Sequence, residues 1–386
     1  MENLTPKKIL RTTYVTSALF TLQLALLAFV SSSFLEQYIS IQSVGLVFTA
    51  GSIVTILLLV CMPKLLKRFG NFTVISVSLA GSIVSLIALS TLNQTIPIIF
   101  FFILHMALTG TIALNFDIYV EEFSSRDSIG SIRGLFLTFS NAAWIIGQLL
   151  IAIILTDNDY WKVFFFASFF ALAAFVWSHR FRHVPDIHYK AVPLRESVET
   201  AWRRWNVRHI LASSLLLQFF FGWMTIYTPI YLHEKIGLGW GELGIIFTIM
   251  LLPYVLFELP LGRIADKRLG EKELLMAGFV TAGISTIMLS LVTSVSIVPW
   301  AILLFLTRVG SSCIEVMNET YFFKKVKADD ATLMDLFRIT RPVGYVVAPI
   351  VASICLLFLP QRYLFIPLGL FMLGGVFLVR QIVDTK

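Results

Sequence analysis

The chain has 386 residues, of which 57% are hydrophobic and 14% are charged, and its mean hydropathy is +0.84. A soluble domain carries about 25% charged residues, so most of this chain is expected to lie in lipid. The three cysteines lie far apart and form no C-x-x-C pair, which argues against a disulfide framework and against a cysteine metal site.

Twelve apolar runs are long enough to cross a bilayer as helices, which takes about 20 mainly apolar residues each. The first run follows "MENLTPKKIL" and has no small-residue cleavage site behind it, so we interpret it as a retained helix rather than a signal peptide. The sequence therefore predicts an all-α membrane protein with twelve transmembrane helices. The expected spans are 12–34, 43–62, 73–92, 98–120, 134–155, 163–178, 207–232, 243–261, 274–292, 298–323, 331–358 and 363–379.

Lysine and arginine gather in alternate loops. Of the 30 such residues, 24 lie in loops on the side of the N-terminus, 3 lie in loops on the other side and 3 lie inside spans. This bias predicts a multi-pass protein of the cell membrane with both termini in the cytoplasm. Attraction to anionic headgroups also accounts for the net charge of +7, so membrane lipids are expected partners and nucleic acid is not.

A polar and basic stretch at 179–206 separates the first six spans from the last six. We expect an N-terminal six-helix bundle over 1–180, a cytoplasmic linker loop over 181–206 and a C-terminal six-helix bundle over 207–386. Within the linker, "ESVETAWRRW" is compatible with an amphipathic helix that lies on the membrane and equally with a solvated linker.

A weak internal repeat connects the two halves. "CMPKLLKRFGNF" (61–72) aligns with "LGRIADKRLGEK" (261–272), and each stretch joins the second and third spans of its half. A parallel repeat of this kind is typical of transporters built from two pseudo-symmetric bundles.

The second copy of the repeat resembles the loop signature of the major facilitator superfamily (MFS), G-x-x-x-D-[RK]-x-G-x-[RK]. Five residues carry the match: Gly262, Asp266, Lys267, Gly270 and Lys272. The resemblance implies the MFS fold, a secondary active transporter and alternating access around a site between the bundles. It also implies that these residues form a cytoplasmic gate.

In that gate, the resemblance implies that Asp266 accepts hydrogen bonds from the N-terminus of the eleventh span near Ala331. The alternative is that the charges only fix the topology of the loop. In the first copy, Met62 replaces the glycine and Leu66 replaces the aspartate, so we expect gating to depend mainly on the second copy. The fifth span also lacks the G-P-x-x-G-G pattern of drug–proton antiporters, which weakens a drug-efflux assignment.

Several charged side chains fall inside the predicted spans, where each costs about 2.5–3.5 kcal/mol and is therefore a candidate functional group. The tenth span carries Arg308, Glu315 and Glu319 at helical spacing, and the eleventh carries Arg338 and Arg341 on one face. Counting residues from the cytoplasmic ends, we expect Glu315 to pair with Arg341 and Glu319 to pair with Arg338.

Three interpretations of these charges remain open. They form a structural lock, or Glu315 carries a coupling proton, or the arginines bind an anionic substrate. The first half offers His105, which more often serves packing than ligand binding, and Asp117, which is a further proton-carrier candidate or a helix cap.

Other polar and aromatic residues are candidates for lining a central cavity, and several glycines predict close contacts between helices. The cavity candidates are Asn115, Asn141, Trp144, Gln148, Gln218, Trp223, Tyr227, Tyr254 and Tyr345. The glycines are Gly81, Gly134, Gly147, Gly244, Gly278, Gly283 and Gly344.

The sequence contains no nucleotide-binding loop, no metal cluster and no nucleophile with a nearby base, so we expect neither an enzyme nor a cofactor. The first hypothesis is a monomeric transporter of a small organic or amphipathic solute, coupled to protons. The alternatives are uptake or exchange of an anionic or sugar-like solute, and a transporter-fold sensor or scaffold without flux. Liposome flux distinguishes the last from the others.

Overall fold

The structure is a computed structural model that describes residues 6–123, 129–156, 158–185, 194–257, 260–261, 264, 270–326 and 331–383. Within these ranges the regular structure is entirely helical. Nine of the described helical segments are long and apolar enough to span a membrane, and two apolar segments, 139–154 and 240–256, are shorter. The chain divides into two compact units, one of Met1–Ser40 with Ala50–Lys190 and one of Ile41–Thr49 with Ala191–Lys386.

The first unit is built from helices α1 to α7, although the first turns of α3 belong to the second unit. In its core α1 packs against α6 and α7, and α4 packs against α5 and α7. The helices are α1 (Pro6–Ala28), α2 (Ser31–Glu36), α3 (Ile41–Phe69), α4 (Asn71–Thr91), α5 (Thr95–Phe123), α6 (Ile129–Ile154) and α7 (Tyr160–Ser178), followed by a 3-10 turn at His179–His183.

The second unit is built from helices α8 to α14. Its core contains α11, which packs against both α12 and α14, while α9 packs against α13. The helices are α8 (Leu194–Arg203), α9 (Trp205–Ile230) with a π-helical turn at Tyr231–Lys235, α10 (Trp240–Leu256), α11 (Glu271–Leu289), α12 (Ile297–Lys325), α13 (Ala331–Phe358) and α14 (Phe365–Arg380), with a 3-10 turn at Gln361–Leu364 before α14.

The first predicted span, 12–34, differs from the observed helices. Helix α1 already includes Pro6, six residues before the predicted start of the span. The chain then leaves the helix after Ala28, and α2 starts at Ser31. The Ser31 hydroxyl donates to the Leu27 carbonyl over 2.7 Å, and such serine bonds compete with regular helix continuation.

The bounds of the helices repeat along the chain. Helix α4 begins at Asn71 and α11 at Glu271, 200 residues later. Helix α5 begins at Thr95 and α12 at Ile297, 202 residues later. The correspondence supports the internal repeat found in the sequence.

Glycines bring the backbone of α11 close to two neighbouring helices, as predicted for Gly278 and Gly283. A Cβ on Gly278 would lie 2.9 Å from the Gly310 carbonyl of α12, and a Cβ on Gly283 would lie 2.9 Å from the Gly369 carbonyl of α14. Without side chains, the helices approach to backbone contact and gain dispersion energy that lipid does not supply. The predicted close contacts at Gly81, Gly147 and Gly344 are also confirmed.

Candidate functional site

A buried arginine marks the candidate site in the second unit. Arg308 on α12 is only 3% exposed. The guanidinium carbon lies 5.5 Å from the ring centre of Phe220 and 5.2 Å from that of Phe221, both on α9. Aromatic faces attract a desolvated cation by about 2 kcal/mol. The Arg308 Nε has no hydrogen-bond partner among the described residues.

A tyrosine from α10 completes the surroundings of Arg308. The Tyr254 hydroxyl lies 2.9 Å from the Ser311 hydroxyl, one turn along α12. It also lies within electrostatic reach of Arg308 and of Glu315. Glu315 is half-buried and Glu319 is exposed. The site therefore combines a buried cation, a phenol and a carboxylate on two adjacent helices.

The candidate residues of α13 are less buried than Arg308. Arg338 and Tyr345 are half-buried, whereas Arg341 is exposed. The pairs Glu315–Arg341 and Glu319–Arg338 remain predictions. In the first unit, Asp117 is half-buried on α5.

The cavity candidates fall into two groups by burial. Asn141, Trp144, Gln218 and Tyr254 are half-buried, as is Tyr345. The others are buried, and two of them, Gln148 and Tyr227, connect neighbouring helices. Their recorded bonds run from Gln148 to the Ala25 carbonyl (2.7 Å), from Asn115 to the Thr111 carbonyl (3.1 Å) and from Tyr227 to the Pro349 carbonyl (3.2 Å), while the Trp223 indole nitrogen has no partner among the described residues.

His105 lies in a buried polar cluster of the first unit. Its Nδ1 is 3.2 Å from the Ser82 hydroxyl, and its Nε2 is 3.3 Å from the Gln23 amide nitrogen. Both ring nitrogens are thus engaged between α1, α4 and α5. This arrangement favours the packing role over ligand binding.

The loop that carries the MFS-like signature is described at residue 264 and at its C-terminal end. Gly262, Asp266 and Lys267 lie outside the described residues, whereas Gly270 precedes α11 and Lys272 lies in its first turn. Glu271 lies between Gly270 and Lys272. Its side chain is 1% exposed and forms an ion pair with Lys324, which is 42% exposed.

Sequence reasoning missed this ion pair, which connects the start of α11 to the last turn of α12. The carboxylate also lies at a helix N-terminus, where the helix dipole favours negative charge. The sequence feature that could have pointed to Glu271 is the internal repeat, because Asn71 is a polar residue at the matching position of the first half. In the structure Asn71 is also buried.

Replacing Lys324 with methionine should lower the stability of the folded protein by about 3 kcal/mol, because it weakens the pairing of a buried carboxylate. The matched variant Glu271→Met should cost less, since the exposed Lys324 ammonium can bind water. The double variant should recover part of the loss. Thermal unfolding of the purified variants checks the order, and equal losses in both single variants would contradict it.

Helices that are apolar and of spanning length define the class of this chain, a multi-pass membrane protein. Among the described residues, no group of three or more His, Cys, Asp or Glu side chains could hold a metal ion. The sequence profile of the Major Facilitator Superfamily matches residues 13–243 and 240–384. The chain therefore belongs to the major facilitator superfamily of transporters, as the signature loop predicted.

Solved structures of transporters share this fold. A POT family transporter in complex with 5-aminolevulinic acid has a TM-score of 0.78 and 13% identity, over 96% of this chain and 95% of the other. The nucleoside transporter NupG has a TM-score of 0.73 and 13% identity, over 96% of this chain and 97% of the other. The human organic anion transporter MFSD10 has a TM-score of 0.66 and 14% identity, over 97% of this chain and 99% of the other. No curated protein matches the sequence significantly.

Proposed function

We propose that this chain is a secondary active transporter that moves a small organic or amphipathic solute by alternating access and couples that movement to protons. The observation that carries the proposal is the cluster of Arg308, Tyr254 and Glu315 inside the second unit of an MFS chain. Charge inside a membrane-spanning bundle is costly, and in an MFS transporter such groups can carry a proton or bind the solute. The moving parts are the N-terminal bundle 1–180 and the C-terminal bundle 207–386, joined by the linker 181–206.

The proposed proton carrier is Glu315. Its half-buried position allows contact with water in one conformation and burial in another. A buried carboxylate is stable when neutral, and it is stable when ionised beside a cation, here Arg341, its expected partner. Movement of the cation then exchanges an ion pair for a bound proton.

An anionic solute is the second candidate, favoured by the Arg308 Nε that has no partner among the described residues. Buried donors of this kind ordinarily have an acceptor, and a carboxylate or phosphate on the solute supplies one. Among the solved neighbours, the human organic anion transporter MFSD10 is named for solutes of this charge.

The cytoplasmic gate and the orientation are part of the same proposal. With both termini in the cytoplasm, the signature loop faces the cytoplasm and Asp266 closes the inner side. The Glu271–Lys324 ion pair supports this function, because it fixes the end of α11 from which the loop extends.

The proposal is tested first by flux. Purified protein is screened by thermal stabilisation against dipeptides, nucleosides, sugars and organic anions, since a ligand of the folded state raises its stability. Stabilising compounds are then offered as radiolabelled solutes to proteoliposomes with and without an imposed pH gradient.

We expect accumulation above equilibrium only with the gradient, and its loss on adding a protonophore. Equal uptake with and without the gradient would contradict proton coupling, although it would still show that the protein transports the solute. Stabilisation without any flux would favour the sensor or scaffold alternative.

A further inference from the structure

An apolar groove lies in the second unit between α8, α9 and α13. It has a volume of about 240 Å³ and is partly open to the surface. Helix α8 contributes Val198, α9 contributes Leu211, and α13 contributes Ile339 and Val343. Because the walls are almost entirely hydrocarbon, the groove suits an apolar chain rather than a polar solute.

One wall of the groove is formed by α8, in the stretch for which the sequence is compatible with a membrane-surface helix or a solvated linker, and the structure shows a helix there. Ala201 of α8 is buried, whereas Val198 is 45% exposed and Trp202 is 70% exposed. Ala201 and Trp202 lie three and four positions after Val198, so both are on the same helical face as Val198. A face with exposed valine and tryptophan is typical of a helix at the lipid boundary.

The mouth of the groove carries a positive charge held by aromatic rings. The Arg208 guanidinium carbon lies 4.0 Å from the ring centre of Trp205 and 5.5 Å from that of Trp202. Stacking fixes the plane of the guanidinium, and its N–H groups still point outward from its edge. Between Leu194 and Arg208 the chain has four arginines and two glutamates.

We propose that this groove is a binding site for one anionic phospholipid, with an acyl chain between α8 and α13 and the headgroup phosphate on Arg208. The apolar walls account for the chain, and the excess of arginine accounts for the negative headgroup. Tryptophan prefers the level of the headgroups, which places Trp202 and Arg208 at the correct depth. The bound lipid would hold α8 against α9 and α13.

The test measures lipid binding on the full-length protein purified in detergent. Dioleoyl phosphatidylglycerol and dioleoyl phosphatidylcholine are added at equal concentrations, and bound lipid is counted by native mass spectrometry beside thermal unfolding. We expect phosphatidylglycerol to bind more strongly and to raise the unfolding temperature further. Arg208→Gln should reduce this preference roughly fivefold, the factor given by about 1 kcal/mol per arginine near the headgroups.

Two further variants make the result specific. Ala212→Phe places a ring in the groove, which Ala212 lines, and should remove one tightly bound lipid of either kind. The matched control is Arg180→Gln, because Arg180 stacks on Trp177 at 3.7 Å in the other unit and does not line the groove.

Equal binding of the two lipids, or an unchanged preference in Arg208→Gln, would overturn the proposal. So would an equal loss in Arg180→Gln, which would indicate a general charge effect. If Ala212→Phe fails to fold, Val343→Phe fills the same groove from α13. The readout is binding, so it is independent of whether the protein transports the proposed solute.

Discussion

Replacing Glu315 with glutamine should abolish solute accumulation driven by a pH gradient while exchange of solute at equal pH continues. Glutamine keeps the size and the hydrogen bonding of glutamate but cannot take up or release a proton. The coupling step then has no carrier, whereas the proposed solute site retains Arg308 and Tyr254, whose hydroxyl is bonded to Ser311. Proteoliposomes loaded with the solute found by thermal screening provide both measurements.

Glu319→Gln is the matched control for this experiment, because Glu319 lies one turn further along α12 and is exposed. We expect it to retain gradient-driven accumulation. If Glu315→Gln accumulates solute at the wild-type level, Glu315 is not the carrier. Glu319 and Asp117 would then be the next candidates, and the structural-lock interpretation would gain support.

Replacing Gly310 with alanine should destabilise the second unit more than the same replacement at Gly278 or Gly283. The new Cβ would lie 2.5 Å from the Ala282 nitrogen and 2.6 Å from the Gly278 oxygen, both backbone atoms of α11. Side chains can rotate away from such a contact, but backbone cannot, so the helices must separate. Overpacking costs about 1–3 kcal/mol and occasionally more, which should lower the unfolding temperature by several degrees.

Gly374→Ala is the control for that variant, because a Cβ on Gly374 meets nothing within 4 Å. It adds the same methyl group to helix α14, and alanine favours a helix over glycine by about 1 kcal/mol. We therefore expect an unchanged or slightly higher unfolding temperature. Equal losses in the two variants would show that glycine serves helix flexibility rather than close approach.

The existence of the helices could be predicted from the sequence because spanning length and apolar composition are local properties. The eleventh span was predicted at 331–358, and α13 covers those residues. The break after Ala28 was missed because a two-residue interruption between helices leaves no mark on hydropathy.

Contacts between helices were harder to predict than the helices themselves. Apolar residues surround most of these helices, so periodicity does not show which face meets which neighbour. The sequence identified Arg308 as a candidate, but its contacts with Phe220 and Phe221 come from another helix. In the same way, Glu271 and Lys324 are 53 positions apart, and no spacing rule connects them.

The matching starts of α5 and α12 have a consequence for how the two halves diverged. Counted from Thr95 and Ile297, the register places Glu319 opposite Asp117 in the repeat, each 22 residues after its helix begins. The same register places Arg308 and Glu315 opposite Met106 and Ala113. One acidic position is therefore common to both copies, while the arginine and the second carboxylate belong to the C-terminal copy alone. Along this pair of helices the repeat therefore preserves the backbone and one acidic position, whereas the buried positive charge of Arg308 is found only in the second half.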